Sequence, residues 1–433
     1  MKFEITENKA LNERILSGVH ESGLRVYIIP KTGFCKYYAI YGTDYGSLDD
    51  YLKIPGTDSE IALPDGIAHF LEHKLFEEED GKNAFDKFAL TGASSNAFTS
   101  FDMTAYLFSC TDNFYENLDI LLEFVNSPYF TDENVAKEQG IIGQEIKMYD
   151  DDPNWRLFFN MLTGMYHNNP VKKDIAGTVE SISHITPELL YKCCDAYYNP
   201  SNMVLVMVGD IDPEKAVSYI DKYVTPEKDR GKIERRIVDE PDSVVQKIVR
   251  QKLSISKPQF LIGFKEKEEG LYGRELLKKQ IRTKILMEVL FGKSGSFFTE
   301  LYSEGLIDAS FGKDSELEVR YGFSSISGET SEPEKVYEKT LAYLEEMKKK
   351  PLDMKAVNIA KRVLIGKNLR RFNSVERLGN DFIRCFMSGF NPLEYSELVE
   401  NVTVEELEAR LKEHFDADCC VLSIIEPMDG EQE

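Results

Sequence analysis

Between Phe114 and Val125 the apolar residues Leu118, Leu121, Leu122 and Val125 recur three and four apart, the period of one helix face. Elsewhere in the first half the pattern is shorter. Residues 24–30 and 37–42 are runs of β-branched and aromatic side chains separated by Lys31-Thr-Gly33, which predicts two strands joined as a hairpin. A helix is expected over 66–76, and residues 96–109 read as two strands turning near Phe101-Asp102. Another helix should run from Asp132, as its N-cap, toward Tyr149. Residues 203–208 are apolar without a break, as in a buried strand, and Gly209-Asp-Ile-Asp-Pro213 turns them into a helix ending near Tyr223.

The pattern then lapses. Residues 225–246 are dominated by Pro, Lys, Arg, Glu and Asp, which places a linker there between a domain of residues 1–224 and a domain of residues 247–433. The second half resumes with a strand at 259–264, a helix at 275–290 and a strand at 321–327. Helices follow at 333–348 and from Lys355, and a last strand at 419–425. Strands and helices mixed in this way predict an α+β chain of two similar domains, each a mostly antiparallel sheet packed with helices. Duplication is suggested by element order alone, because no repeated sequence is evident. A length of 433 residues also suits two domains.

Composition narrows the function little. A net charge of −23 argues against nucleic acid, which would need a basic face. The acidity fits either attraction of basic peptides or simple solubility. No apolar run approaches the roughly 18 residues of a membrane helix, and the first 20 residues lack a basic stretch followed by an apolar one. The expectation is a soluble, cytoplasmic protein. Seven cysteines without a C-x-x-C spacing read as buried reduced thiols. Gly292-Lys-Ser294 resembles the end of a phosphate loop. Met287 stands where its first glycine belongs, however, and Gly-Ser-Phe-Phe does not clearly open a helix, so 292–295 is expected to be a loop between helices.

Candidate chemistry lies in His69-Phe-Leu-Glu72-His73. On a helix these three polar residues share a face. Two imidazoles one turn apart can hold a Zn²⁺, and a carboxylate beside them can serve as base. Taken alone, the same residues also fit an ordinary amphipathic helix. A third ligand is needed, and Glu145 is the candidate, with Glu138 seven residues earlier on the same helical face as a supporting carboxylate.

With those residues in view, the sequence resembles the pitrilysin/insulinase family of zinc metallopeptidases, the inverzincins, whose H-x-x-E-H motif it carries. Residues 92–99 (Gly-Ala-Ser-Ser-Asn-Ala-Phe-Thr), Asp151-Asp-Pro153, 177–182 and 198–210 are also similar to family segments. The resemblance is specific over 20–223 and rests mainly on element order over 245–433. It implies a clamshell half in which His69, His73 and Glu145 bind zinc and Glu138 supports a ligand. Glu72 would take a proton from the attacking water and pass it to the leaving amine. It further implies that Asn96, Ala97 and Phe98 lie on a strand whose backbone pairs with an extended peptide substrate. The side chains of Phe98 and Phe101 fit plain core packing equally well.

The pattern departs from the family at one place. Complete sites use an Arg and a Tyr seven residues apart, and the aligned positions here are Tyr302 and Asp308, with one residue deleted between them. No arginine in the chain has a tyrosine seven residues later. Full clamshells also carry about four such domains, twice what this chain holds. The resemblance therefore implies a heterodimer in which a homologous partner supplies the Arg and Tyr. A homodimer would lack that pair on both sides. The competing expectation is a structural subunit that keeps the fold without activity.

Overall fold

A computed structural model describes residues 1–53, 60–79, 81–226, 233–236 and 238–428. The chain divides into two compact units. One comprises Met1–Ile146, Lys173–Ile237 and Leu369–Met387, and the other Lys147–Lys172, Val238–Asn368 and Ser388–Glu433.

The first unit contains β1 (Glu4–Asn8), β2 (Glu13–Val19), β3 (Arg25–Pro30) and β4 (Tyr37–Thr43), then the short pair β5 (Tyr51–Lys53) and β6 (Glu60–Ala62). It is completed by β7 (Ser94–Thr99), β8 (Thr104–Cys110) and β9 (Met203–Gly209). The second holds β10 (Ile248–Leu253), β11 (Gln259–Lys265), β12 (Gly312–Leu317), β13 (Gly322–Glu329) and β14 (Cys420–Pro427). The helices that position the site and the cores are α1 (Ile67–Lys74), α2 (Phe114–Val125), α3 (Asp132–Asp150), α4 (Gly273–Phe291), α5 (Ser296–Ser303), α6 (Val375–Met387) and α7 (Val404–His414).

The larger sheet has the order β1-β2-β3-β9-β4-β8-β7 and the smaller β10-β14-β11-β13-β12. The five strands from β3 to β7 and the five of the second sheet follow one plan. In each, the last strand of the set inserts beside the first, parallel to it, and every other pairing is antiparallel. The α+β expectation of two similar domains holds, and the repeat that sequence identity hides is visible in strand order and sense.

The predicted hairpin of residues 24–30 and 37–42 does not form. β9 lies between β3 and β4. Every residue of β9 is buried, so this uninterrupted apolar strand needs a partner on each edge and claims both. Asp132 is not the cap of α3. Thr131 Oγ1 accepts the Asn134 N–H at 3.2 Å, and Asn134 Oδ1 accepts the Thr131 N–H at 2.9 Å, so the reciprocal cap sits one residue earlier. Residues 292–295 do form a loop between helices, but Gly295 directly precedes α5, so Gly-Ser-Phe-Phe does open a helix. Six of the seven free thiols are buried. Cys35 is exposed in the loop joining β3 to β4, against the expectation for it. No described helix is long and apolar enough to cross a membrane.

Candidate metal centre

Helix α1 begins at a backbone constraint. Gly66 sits at φ 90°, where a Cβ would lie 2.3 Å from the Ala176 carbonyl oxygen, and a Cβ on Gly177 would lie 2.3 Å from that of Asp65. Ser181 Oγ donates to the Asp65 carbonyl at 2.7 Å and Lys173 pairs with the Asp65 carboxylate at 2.9 Å. The glycine-containing segment 177–182 therefore clamps the start of α1. Phe70 and Leu71 are fully buried, which fixes the helix rotation and turns His69, Glu72 and His73 toward α3.

These side chains meet Glu145. His69 Nε2 lies 3.8 Å from Glu145 Oε1, and His73 Nε2 lies 3.6 Å from Oε2. Among the described residues, His69, His73 and Glu145 are the group of three whose ligand-type atoms all fall within 4.8 Å. Glu138, two turns earlier on α3, accepts a hydrogen bond from His73 Nδ1 at 3.0 Å. That bond places the His73 proton on Nδ1 and turns the Nε2 lone pair toward Glu145.

The electrostatics suit a cation. Burial, with His73 beside it, depresses His69 to about 4, so its imidazole is neutral at physiological pH. Burial also acts to lower His73, but the Glu138 hydrogen bond and the charges of Glu72, Glu138 and Glu145 outweigh it and raise the group. Two imidazole nitrogens face two oxygens of one carboxylate at spacings close to those of ligands held about 2.0–2.2 Å from a shared tetrahedral ion. The donor set fits zinc.

Glu72 is buried beside this cluster, and burial raises its carboxyl to about 6. Thr99 Oγ1 donates to Glu72 Oε2 at 2.6 Å and opposes that rise. Thr104 Oγ1 lies 3.3 Å from Thr99 Oγ1 and donates to the Tyr45 carbonyl at 2.9 Å. The Thr99 hydroxyl, on β7, thus holds one oxygen of Glu72 and leaves the other available. Sequence reasoning gave Thr99 no role. It closes the segment 92–99 that was singled out, but its partner is 27 residues away, and only the strand register brings them together.

Asn96, Ala97 and Phe98 lie on β7, the end strand of the larger sheet. Asn96 is exposed, and its Oδ1 accepts the Ala97 N–H at 2.9 Å. Tyr302 and Asp308 belong to the other unit. Tyr302 is 55% exposed at the end of α5, and Asp308 is held down to about 2 by hydrogen bonds from Lys257 and Ser310.

Comparison with known proteins places these residues in a family context. The model described as Insulinase (Peptidase family M16) matches residues 56–179, and that of the Peptidase M16 inactive domain matches residues 184–364. A Bacillus subtilis chain described as the uncharacterized zinc protease YmfH is 42% identical over 95% of this chain and 96% of its own length. The crystal structure of a putative M16-like peptidase from Alicyclobacillus acidocaldarius superposes with a TM-score of 0.90 at 34% identity, covering 99% of both chains. Pitrilysin superposes with a TM-score of 0.77 at 16% identity, all of this chain matching 47% of that one.

Proposed function

This chain belongs to the insulinase peptidase family, M16, and from that premise we propose that it is the catalytic, zinc-carrying subunit of a peptidase that hydrolyses peptides. The observation that carries the reading is the convergence of His69, His73 and Glu145 beside the buried carboxylate of Glu72. Bound by those three residues, zinc would supply a Lewis acid that polarises the scissile carbonyl and acidifies the attacking water. Glu72, with Oε2 held by Thr99, would use Oε1 to take the water's proton and deliver it to the leaving nitrogen. The end strand β7 would pair with the peptide backbone, an acceptor on the peptide replacing Asn96 Oδ1 at the Ala97 N–H.

A Tyr302 and an Asp308 in place of the family's Arg and Tyr support a heterodimer. An oxyanion needs donors or positive charge, and Asp308 would oppose it. A homologous chain bearing the pair would complete the site, which agrees with a chain spanning about half the length of pitrilysin. The same substitution favours the second reading, a structural subunit without turnover. Mixing the zinc-loaded chain with a homologue that carries the Arg and Tyr, and assaying quenched peptides, separates the two. The catalytic reading requires cleavage only in the mixture.

Two residues outside the ligand set give graded predictions. Thr99→Val removes a hydrogen bond to a charged group, and kcat should fall about tenfold with zinc content unchanged, Thr99→Ser restoring it. Because that bond lowers the Glu72 pKa, its loss should move the acidic limb of the kcat/KM profile to higher pH. Glu138→Gln should weaken zinc binding by about 10- to 100-fold in chelator competition. Glu138 raises His73 and so favours its imidazolium form, whose Nε2 proton zinc must displace, so affinity should fall as pH drops through the His73 transition. Calorimetry in buffers of different ionisation heat should show fewer protons released by the Gln variant.

A further inference from the structure

Register fixes which side chains share each face of the larger sheet. Gly42 pairs with Ala105, and Ala105 pairs with Phe98. The adjacent row, Thr43, Thr104 and Thr99, lies on the opposite face, where Thr99 meets Glu72. The Phe98 row is the one that α6 covers, since a Cβ on Gly42 would lie 2.9 Å from Ile383 Cδ1 and 3.1 Å from Met387 Cε.

Arg384, next to Ile383 on α6, is exposed. Its guanidinium carbon stands 5.7 Å from the centroid of the Phe98 ring. Two other basic residues pair with acids of α6: Arg371 with Asp381 at 3.1 Å, and Lys36 with Glu376. Among the described residues Arg384 has no carboxylate within 4.0 Å. In a chain of net charge −23, this exposed arginine beside an aromatic ring has, among the described residues, no acid of its own to meet.

We propose that Arg384 and Phe98 form a charge-selecting subsite that favours an acidic side chain at one position of the bound peptide. The inference rests on the reading that a peptide extends the sheet at β7. Such a strand places alternate side chains on the α6 face, with the Cβ opposite Phe98 about 4.5–5.5 Å away, inside the reach of a glutamate to the guanidinium. A lysine there would face Arg384 directly, while neighbouring positions point to the face of Thr99 and Glu72 and are indifferent to Arg384.

The test uses the zinc-loaded, full-length chain carrying Glu72→Gln, so that peptide binds without being cut. Fluorescent extended peptides carry Glu, Gln or Lys at one position, scanned along the sequence, and anisotropy gives Kd. One position should favour Glu over Lys by about fivefold, against the general preference for Lys that the acidic surface imposes elsewhere. Arg384→Gln should abolish that preference and Arg384→Glu reverse it, other positions remaining unchanged. An unaltered preference in Arg384→Glu, a shift spread equally over all positions, or no peptide binding would overturn the proposal. Arg384-dependent binding by a chain that never cleaves with any homologue would uphold this inference and refute the peptidase reading. Cleavage whose charge preference ignores Arg384 would do the reverse.

Discussion

Glu72→Gln is expected to lower kcat by about 1,000-fold, equivalent to about 4 kcal/mol of transition-state stabilisation, while the zinc content of the chain stays the same. The substitution keeps the shape of the side chain. Its carbonyl oxygen can still accept the Thr99 hydroxyl that now donates to Glu72 Oε2 at 2.6 Å, so position is preserved and only the ability to take a proton is lost. The ligand set is untouched, since the two imidazoles face Glu145 rather than Glu72. Metal analysis of the chain, and single-turnover kinetics after mixing the same preparation with a homologue that carries the Arg and Tyr, check both halves of the expectation. A variant that loses zinc along with activity would mean that Glu72 belongs to the ligand set, and a variant of undiminished kcat would remove it from the reaction.

The largest expected effect on stability lies in the other unit. Glu266→Ala should destabilise the chain by about 3–5 kcal/mol, because it strands buried cations that have lost their carboxylate. Glu266, at the end of β11, receives Arg410 and His414 from α7 and Lys279 from α4, the last two at 3.2 and 3.0 Å. All four are at least 96% buried, between 2% and 4% exposed. Arg410 also donates to Thr283 at 2.9 Å, and His414 Nε2 meets Ser324 Oγ at 2.7 Å, so every member of the network is bonded on several sides. Burial acts to raise Glu266, but the bonds from His414 and Arg410 prevail and hold it far below the usual carboxylate range. A depressed folded-state pKa means stability that is complete above the unfolded value of about 4.3 and is lost as pH falls below it. Urea denaturation of the wild type should therefore show midpoints dropping below about pH 4, and Glu266→Gln should flatten that dependence.

What could be read in advance follows from range along the chain. The His69, Glu72 and His73 face is local, fixed by 3.6 residues per turn, and the limits of α2 match its apolar period. Glu138 and Glu145 share a face for the same reason. Thr99 was not legible as a partner of Glu72 because that bond depends on which face of β7 it occupies, and a shift of one residue would have turned it away. The place of β9 between β3 and β4 could not be seen either: the pattern said it was buried, but not against what. The Glu266 network was hidden more deeply, since isolated Glu, Arg, Lys and His residues far apart in sequence read as surface until the fold gathers them. Arg384 was silent for the same reason, 286 positions beyond the Phe98 it covers.

X-ray absorption at the zinc edge, on the chain purified without added chelator and on its His69→Ala and His73→Ala variants, addresses the central claim most directly. The account predicts one zinc per wild-type chain, with nitrogen and oxygen neighbours at about 2.0–2.2 Å, an imidazole scattering pattern and no sulfur, and a metal lost from both variants. A chain that takes up no zinc, a shell containing sulfur, or a bound ion indifferent to both histidines would contradict it.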